Sequence, residues 1–71
     1  MSETIEFFRE TGKNDWDSFK KWEARCLELG LNGPYRLANN LTCWQFVRPS
    51  GGTAGIYDAA KGEGYVFVQP N

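Results

Sequence analysis

One segment of the sequence repeats its apolar residues with the period of an α-helix, and this segment most constrains the fold. Between Asn14 and Gly30 an apolar residue returns every three or four positions. The repeating residues are Trp16, Phe19, Trp22, Cys26, Leu27 and Leu29. Such spacing places them along one side of a helix. Asn14 or Asp15 can cap its start, and Gly30 suits the left-handed backbone just past its end. The sequence therefore predicts one amphipathic helix over this range.

The residues after Gly30 favour short β-strands. The runs PYRLA, LTCWQFV, GIYDA and YVFVQP are separated by turn residues, among them the pair Asn39-Asn40. Strands joined by such short links pair in antiparallel. The segment TIEFFRET before the helix fits a strand or a short helix, and we favour a strand. We predict an α+β fold: one amphipathic helix packed on a three- to four-stranded antiparallel β-meander, with an extra N-terminal strand or short helix as open alternatives.

Length and composition limit the function. A chain of 71 residues has the length of one domain, so we predict a single α+β domain over residues 1–71. The chain carries 8 basic and 9 acidic side chains and no histidine. Without histidine, neither a Ser-His-Asp nor a Cys-His pair can activate a nucleophile. With only two cysteines, the usual zinc sites are also excluded. We expect no enzymatic activity, no cofactor and no metal site.

The N-terminal residues and the two cysteines bear on the compartment. The stretch MSETIEFFRE lacks the basic start and apolar run of a secretory signal. No apolar run approaches the roughly 20 residues that cross a bilayer. We therefore expect a cytoplasmic protein without a membrane partner. In that compartment Cys26 and Cys43 should be reduced thiols, packed as small apolar side chains.

Alternation along each strand sorts the β residues into two sets. If the aromatic sets align across the meander, one face carries only rings: Trp44, Phe46, Tyr57, Tyr65 and Phe67. The other face then carries Leu41, Cys43, Val47, Ile56, Val66 and Val68. Five buried rings amount to about 750–1250 Å², against roughly 300–600 Å² for the largest apolar patch on a typical monomer. Both faces need cover, and one helix can cover only one of them.

Two arrangements would provide that cover. In the first, the aromatic face packs on the helix as the core, and the N-terminal segment shields the aliphatic face. In the second, the aliphatic face packs on the helix and the aromatic face docks on another protein, with two arginines as polar anchors at its edge. The candidate protein-binding residues are then Trp44, Phe46, Tyr57, Tyr65, Phe67, Arg36 and Arg48.

The stretch KGEGYVFV, residues 61–68, suggests a second function. It resembles the octapeptide of RNA-recognition-motif domains, whose first, third and fifth residues supply a basic contact and two stacking aromatics. Lys61 and Tyr65 match, whereas Glu63 places a carboxylate where a ring would stack. The resemblance implies a single-stranded RNA- or DNA-binding domain as the alternative. Its candidate nucleic-acid-binding residues are Lys61, Tyr65, Phe67 and Trp44.

Together these patterns favour a small non-enzymatic module that docks on another protein and sequesters or inhibits it. The sequence does not name that partner. An accessory protein of a phage or mobile element, such as an anti-defence inhibitor, is the class we expect. A structural homodimer that pairs the same face is another alternative. Nucleic acid is the less favoured partner because a net charge of -1 offers few phosphate contacts.

Overall fold

The computed structural model describes residues 4–9 and 15–69, which form one helix and a five-stranded antiparallel sheet. The elements are β1 (Thr4–Arg9), α1 (Asp15–Glu28), β2 (Asn32–Leu37), β3 (Asn40–Val47), β4 (Thr53–Asp58) and β5 (Glu63–Val68). The helix packs on one side of the sheet, so the predicted α+β class is confirmed. Of the two alternatives for the N-terminal segment, the strand is the one that forms.

The strand order β1-β5-β4-β3-β2 explains the role of the helix in the topology. Strands β2 to β5 are a meander of neighbouring antiparallel pairs. Strand β1 joins this meander beside β5, at the edge opposite β2. Since every neighbouring pair is antiparallel, β1 and β2 run in the same direction. The chain therefore crosses one side of the sheet between them, and α1 occupies that crossing.

The C-terminal end of α1 follows the sequence prediction. The N–H of Leu31 donates to the carbonyl of Cys26 at 3.1 Å, and the N–H of Gly30 donates to Leu27 at 3.0 Å. This pair of bonds is the Schellman motif, which requires a left-handed residue after the helix. Gly30 supplies it with φ 79°. The predicted cap at Asn14 lies outside the described residues.

The core lies between α1 and the middle of the sheet. Its fully buried members are Trp22, Cys26, Phe46, Tyr57 and Val66. Burying a large apolar side chain stabilises a fold by about 1.5–3 kcal/mol, so these few residues carry much of the stability. The indole N–H of Trp22 donates to the carbonyl of Tyr65 at 3.0 Å. Leu27, which the periodicity assigned to the apolar side of the helix, is instead 55% exposed.

Two glycines let α1 approach the sheet closely. A Cβ on Gly64 would lie 2.6 Å from Cδ2 of Tyr57 and 2.9 Å from Cδ1 of Trp22. A Cβ on Gly55 would lie 3.0 Å from Sγ of Cys26. All three distances are shorter than normal van der Waals contacts. The rings of the core therefore occupy the space that side chains at these two positions would take.

The strand register corrects the predicted aromatic face. Trp44 lies opposite Tyr57, and Tyr57 lies opposite Gly64 rather than Tyr65. The side of the sheet under α1 therefore carries Trp44, Phe46, Tyr57, Val66 and Val68. The opposite side carries Cys43, Val47, Ile56, Tyr65 and Phe67. The prediction of a single aromatic face is wrong because a shift of one residue in the β4–β5 pairing moves every β5 side chain to the other side.

The first hairpin turn also differs from the prediction. Leu37 pairs with Asn40, so Ala38 and Asn39 form the turn instead of Asn39 and Asn40. Among the described residues, only glycines have positive φ. Asn39 therefore turns the chain without the left-handed backbone that asparagine often adopts in such turns.

Candidate protein-docking surface

The side of the sheet that faces away from α1 carries a group of apolar side chains, which we call the outer face. We define the outer face by the six apolar residues that β1, β2, β4 and β5 place on this side: Ile5, Phe7, Tyr35, Ile56, Tyr65 and Phe67. The exposed fractions are 59% for Ile5, 51% for Phe7, 51% for Tyr35 and 39% for Tyr65. Within residues 4–9 and 15–69, no helix or loop packs over these side chains to the degree that α1 covers the other side.

The outer face includes a row in which each residue lies opposite the next across the sheet, with the polar Gln45 between Ile56 and Tyr35. Phe7 lies opposite Tyr65, with ring centroids 5.4 Å apart, and Tyr65 lies opposite Ile56. Gln45 follows opposite Ile56, and Tyr35 lies opposite Gln45. This row crosses all five strands. Directly opposite side chains in antiparallel strands are about 5 Å apart and interact, so the row forms one surface.

The size of the outer face can be compared with known interfaces. Full burial of an aromatic side chain removes about 150–250 Å², so the exposed fractions of Phe7, Tyr35 and Tyr65 leave about 210–350 Å² in contact with water. Ile5 and the half-buried Ile56 and Phe67 raise this to on the order of 400–500 Å². A standard interface buries about 800 Å² per partner, a little over half of it apolar. The outer face supplies that apolar share.

Charged groups border one end of the outer face. Nε of Arg9 lies 3.6 Å from a carboxylate oxygen of Glu63, and Asp58 lies directly opposite Glu63 on the neighbouring strand. At these three facing positions two carboxylates meet one cation, and the exposed Lys61 adds a second cation in the turn between β4 and β5. Like charges directly opposite each other are unfavourable in a sheet. A basic group on a docking partner would relieve that repulsion.

The structure separates the predicted protein-binding residues. Phe46 and Tyr57 are at most 1% exposed and belong to the core, where a partner cannot reach them in the folded chain. Trp44 is half-buried on the α1 side, and the exposed Arg36 guanidinium lies over its ring at 4.5 Å from the centroid. Tyr65 lies on the outer face. Of the predicted rings, therefore, those of β5 are the ones available for docking.

The remaining predicted residues lie near the ends of β5. Phe67 belongs to the outer face, and Arg48 lies close to it beside an open groove of about 320 Å³. The groove is lined by Leu29, Arg48, Pro49, Ser50, Phe67, Val68 and Gln69. Lys61 is exposed in the turn before β5. Trp44 lies on the opposite side of the sheet from Tyr65, so the four predicted nucleic-acid-binding residues do not form one stacking surface.

The sequence interpretation missed four members of the outer face: Ile5, Phe7 and Tyr35, which are not among the predicted docking residues, and Ile56, which was placed on the aliphatic face. Ile5 and Phe7 alternate in TIEFFR, and this alternation would have placed them on one side of β1 once the segment was assigned as a strand. Tyr35 gave no such signal, because Gly33 and Pro34 interrupt its strand and the β2–β3 register shifts on both sides of the Tyr35–Arg36 pair.

Burial and hydrogen bonding within the fold shift the pKa of titratable side chains in the described part of the chain. Burial raises the pKa of the Cys26 thiol to about 12, so it is protonated and unreactive at neutral pH. Glu6 accepts two hydrogen bonds from Arg25, at 2.9 Å each, and they lower the pKa of its carboxyl. Across the described residues, no three Cys, Asp or Glu side chains cluster in a way that could hold a metal ion.

The fold and the site define the chain as a small α+β domain with an open antiparallel sheet, one side of which is covered by a helix. No family model matches the sequence, and neither a curated protein nor a solved structure is significantly similar to it. In the part of the chain that the structure describes, no helix is long and apolar enough to cross a membrane.

Proposed function

We propose that this chain is a non-enzymatic module that docks on another protein through its outer face, and sequesters or inhibits that protein in the cytoplasm. The observation that carries the proposal is the row from Phe7 through Tyr65, Ile56 and Gln45 to Tyr35, with its half-exposed rings. Tyrosine is one of the residue types enriched among the few side chains that carry most of the binding energy at protein interfaces.

The partner that fits this surface has an apolar patch of its own. Its patch is bordered by at least one basic side chain, which would lie against Asp58 and Glu63. Apolar burial would provide the affinity, and the charge at one end would fix the orientation of the complex. The accessory-protein and inhibitor roles expected from the sequence belong to this proposal as its biological class.

The experiment compares two glutamate substitutions at exposed apolar positions. Tyr65→Glu places a charge in the centre of the outer face, whereas Leu27→Glu places one on the exposed side of α1. Circular dichroism first establishes that both variants fold. Each tagged protein is then used to capture partners from the native host, and binding of the captured protein is measured with purified components by calorimetry.

The proposal predicts a captured protein that binds the wild type and Leu27→Glu with similar affinity, and binds Tyr65→Glu at least tenfold more weakly. Its binding to the wild type should show a negative heat-capacity change, because apolar surface is buried. A partner that binds both variants equally well would contradict docking through the outer face. Titration with single-stranded oligonucleotides tests the alternative function. Tight binding that weakens steeply with salt would replace protein docking with nucleic-acid binding.

A further inference from the structure

The two edges of the sheet differ in how well they could accept another strand. Strand β1 pairs with β5 over six consecutive residues without a register shift. Within the described residues, it has no strand on its other side. Its sequence TIEFFR contains no proline, lysine or glycine. A regular strand with one unpaired side presents a row of free N–H and C=O groups to a further chain.

The edge formed by β2 is protected. Pro34 has no N–H to donate, and the register shifts between Asn32 and Tyr35 and again between Arg36 and Leu37. Prolines and bulges are the usual means by which proteins prevent pairing at an edge. The molecule therefore has one protected edge and one regular edge.

We propose that two copies of this chain pair through β1, antiparallel about a two-fold axis, to form one continuous ten-stranded sheet. In the register centred on Glu6, Ile5 lies opposite Phe7 of the second copy, and Phe7 lies opposite its Ile5. These are aliphatic–aromatic pairs of the kind that stabilise antiparallel sheets. The outer faces of the two copies then lie on the same side and become one surface.

The charges of β1 are compatible with this pairing. A charged residue directed toward the body of the protein can protect an edge, and Glu6 has that position. Two hydrogen bonds from Arg25, at 2.9 Å each, already hold its carboxylate. Arg9 is paired with Glu63 and lies outside the central pairs. Each Glu6 at the axis is therefore already bonded to Arg25 of its own copy, although that guanidinium also donates to Glu28 at 2.7 Å.

The primary test uses the unmodified protein. Sedimentation equilibrium from low micromolar to near-millimolar concentration is expected to show a monomer that becomes a dimer, at the weak end of protein association because the paired edge is small. Amide hydrogen exchange over the same range should show slower exchange at alternate residues of β1 and no change in β2. A strict monomer at the highest concentration, or a dimer without added protection in β1, would overturn the proposal.

A matched pair of variants distinguishes a dimer paired through β1 from a dimer in which two outer faces pack against each other. Ile5 and Tyr35 are both about half-exposed on the outer face, but they lie on opposite edge strands. Ile5→Lys is expected to weaken the dimer roughly tenfold or more, since a lysine on the pairing strand acts twice across the axis. Tyr35→Lys should leave the dimer within about twofold of the wild type. Equal weakening by both would show face-to-face packing and contradict pairing through β1.

The merged outer face rests on the proposed docking function, but the pairing itself does not. Dimerisation is measured without any partner protein, whereas docking is measured by the effect of Tyr65→Glu on a captured partner. A monomeric chain that still loses its partner on Tyr65→Glu would refute the dimer alone. A dimeric chain whose partner binds Tyr65→Glu as tightly as the wild type would refute docking alone.

Discussion

The close packing of α1 on the sheet predicts a compensating pair of substitutions at Gly55 and Cys26. A Cβ at Gly55 would lie 3.0 Å from Sγ of Cys26 and 3.4 Å from Nε1 of Trp22. Overpacking of this kind costs about 1–3 kcal/mol, and the lower unfolded-state entropy of alanine returns about 0.4–1 kcal/mol. Gly55→Ala should therefore lower the free energy of unfolding by about 1 kcal/mol.

The partner substitution Cys26→Ala removes the sulfur that the new methyl group would meet. By itself it should cost about 1–2 kcal/mol, for the lost burial and the small cavity. In the double variant the methyl group at position 55 fills the space that the sulfur leaves. We expect the double variant to be only about 1 kcal/mol less stable than the wild type, which is a favourable coupling of about 1–2 kcal/mol.

The assay is equilibrium urea unfolding of the four proteins of the cycle, with the midpoint and the slope fitted for each. A chain of this length should have a total stability of about 4–11 kcal/mol, so all four should remain folded. Gly64→Ala is the control, because the Cβ there would meet the rings of Tyr57 and Trp22, which Cys26→Ala does not change. The packing argument would be refuted if the changes in unfolding free energy of Gly55→Ala and Cys26→Ala simply added in the double variant. It would also be refuted if Cys26→Ala restored the stability of Gly64→Ala equally well.

Three further predictions concern buried polar and titratable groups. Tyr57→Phe should cost about 1–2 kcal/mol in urea unfolding, because the buried Ser18 hydroxyl loses its partner at 2.5 Å and keeps the long bond to the Gly62 carbonyl at 3.5 Å. Tyr65→Phe on the outer face should change stability by less than about 0.5 kcal/mol. Arg25 holds the pKa of Glu6 below its ordinary value of 4.5, so this pair stabilises the fold above that pH and loses its effect as the pH falls through the folded-state value. Glu6→Gln should therefore be less stable than the wild type at pH 7, with a difference that closes in acid; a difference that persists in acid would show another cause. Alkylation followed by mass spectrometry should find Cys26 far slower to react in the folded chain than in urea, and fast labelling of the native protein would contradict its burial.

The local elements of this fold could be predicted from the sequence. The helix and its end at Gly30 follow from residue spacing and backbone preference within a few positions, which no distant part of the chain overrides. The strands after Gly30 follow in the same way from their composition and turns. The docking candidates at Tyr65 and Phe67 were identified because alternation along a single strand is also a local property.

Only the tertiary structure decided which strands share a face. Alternation within β4 and within β5 leaves two ways to combine them, and the β4–β5 register, which places Tyr57 opposite Gly64, selects the one that buries Tyr57 and exposes Tyr65. The placement of β1 beside β5, which brings Ile5 and Phe7 to the outer face, likewise depends on residues some sixty positions away in the chain. Periodicity is set by each segment alone, whereas register is set by the packing of all segments together. A shift of one residue in the β4–β5 register therefore divided the predicted aromatic face into a core on one side of the sheet and an exposed surface on the other.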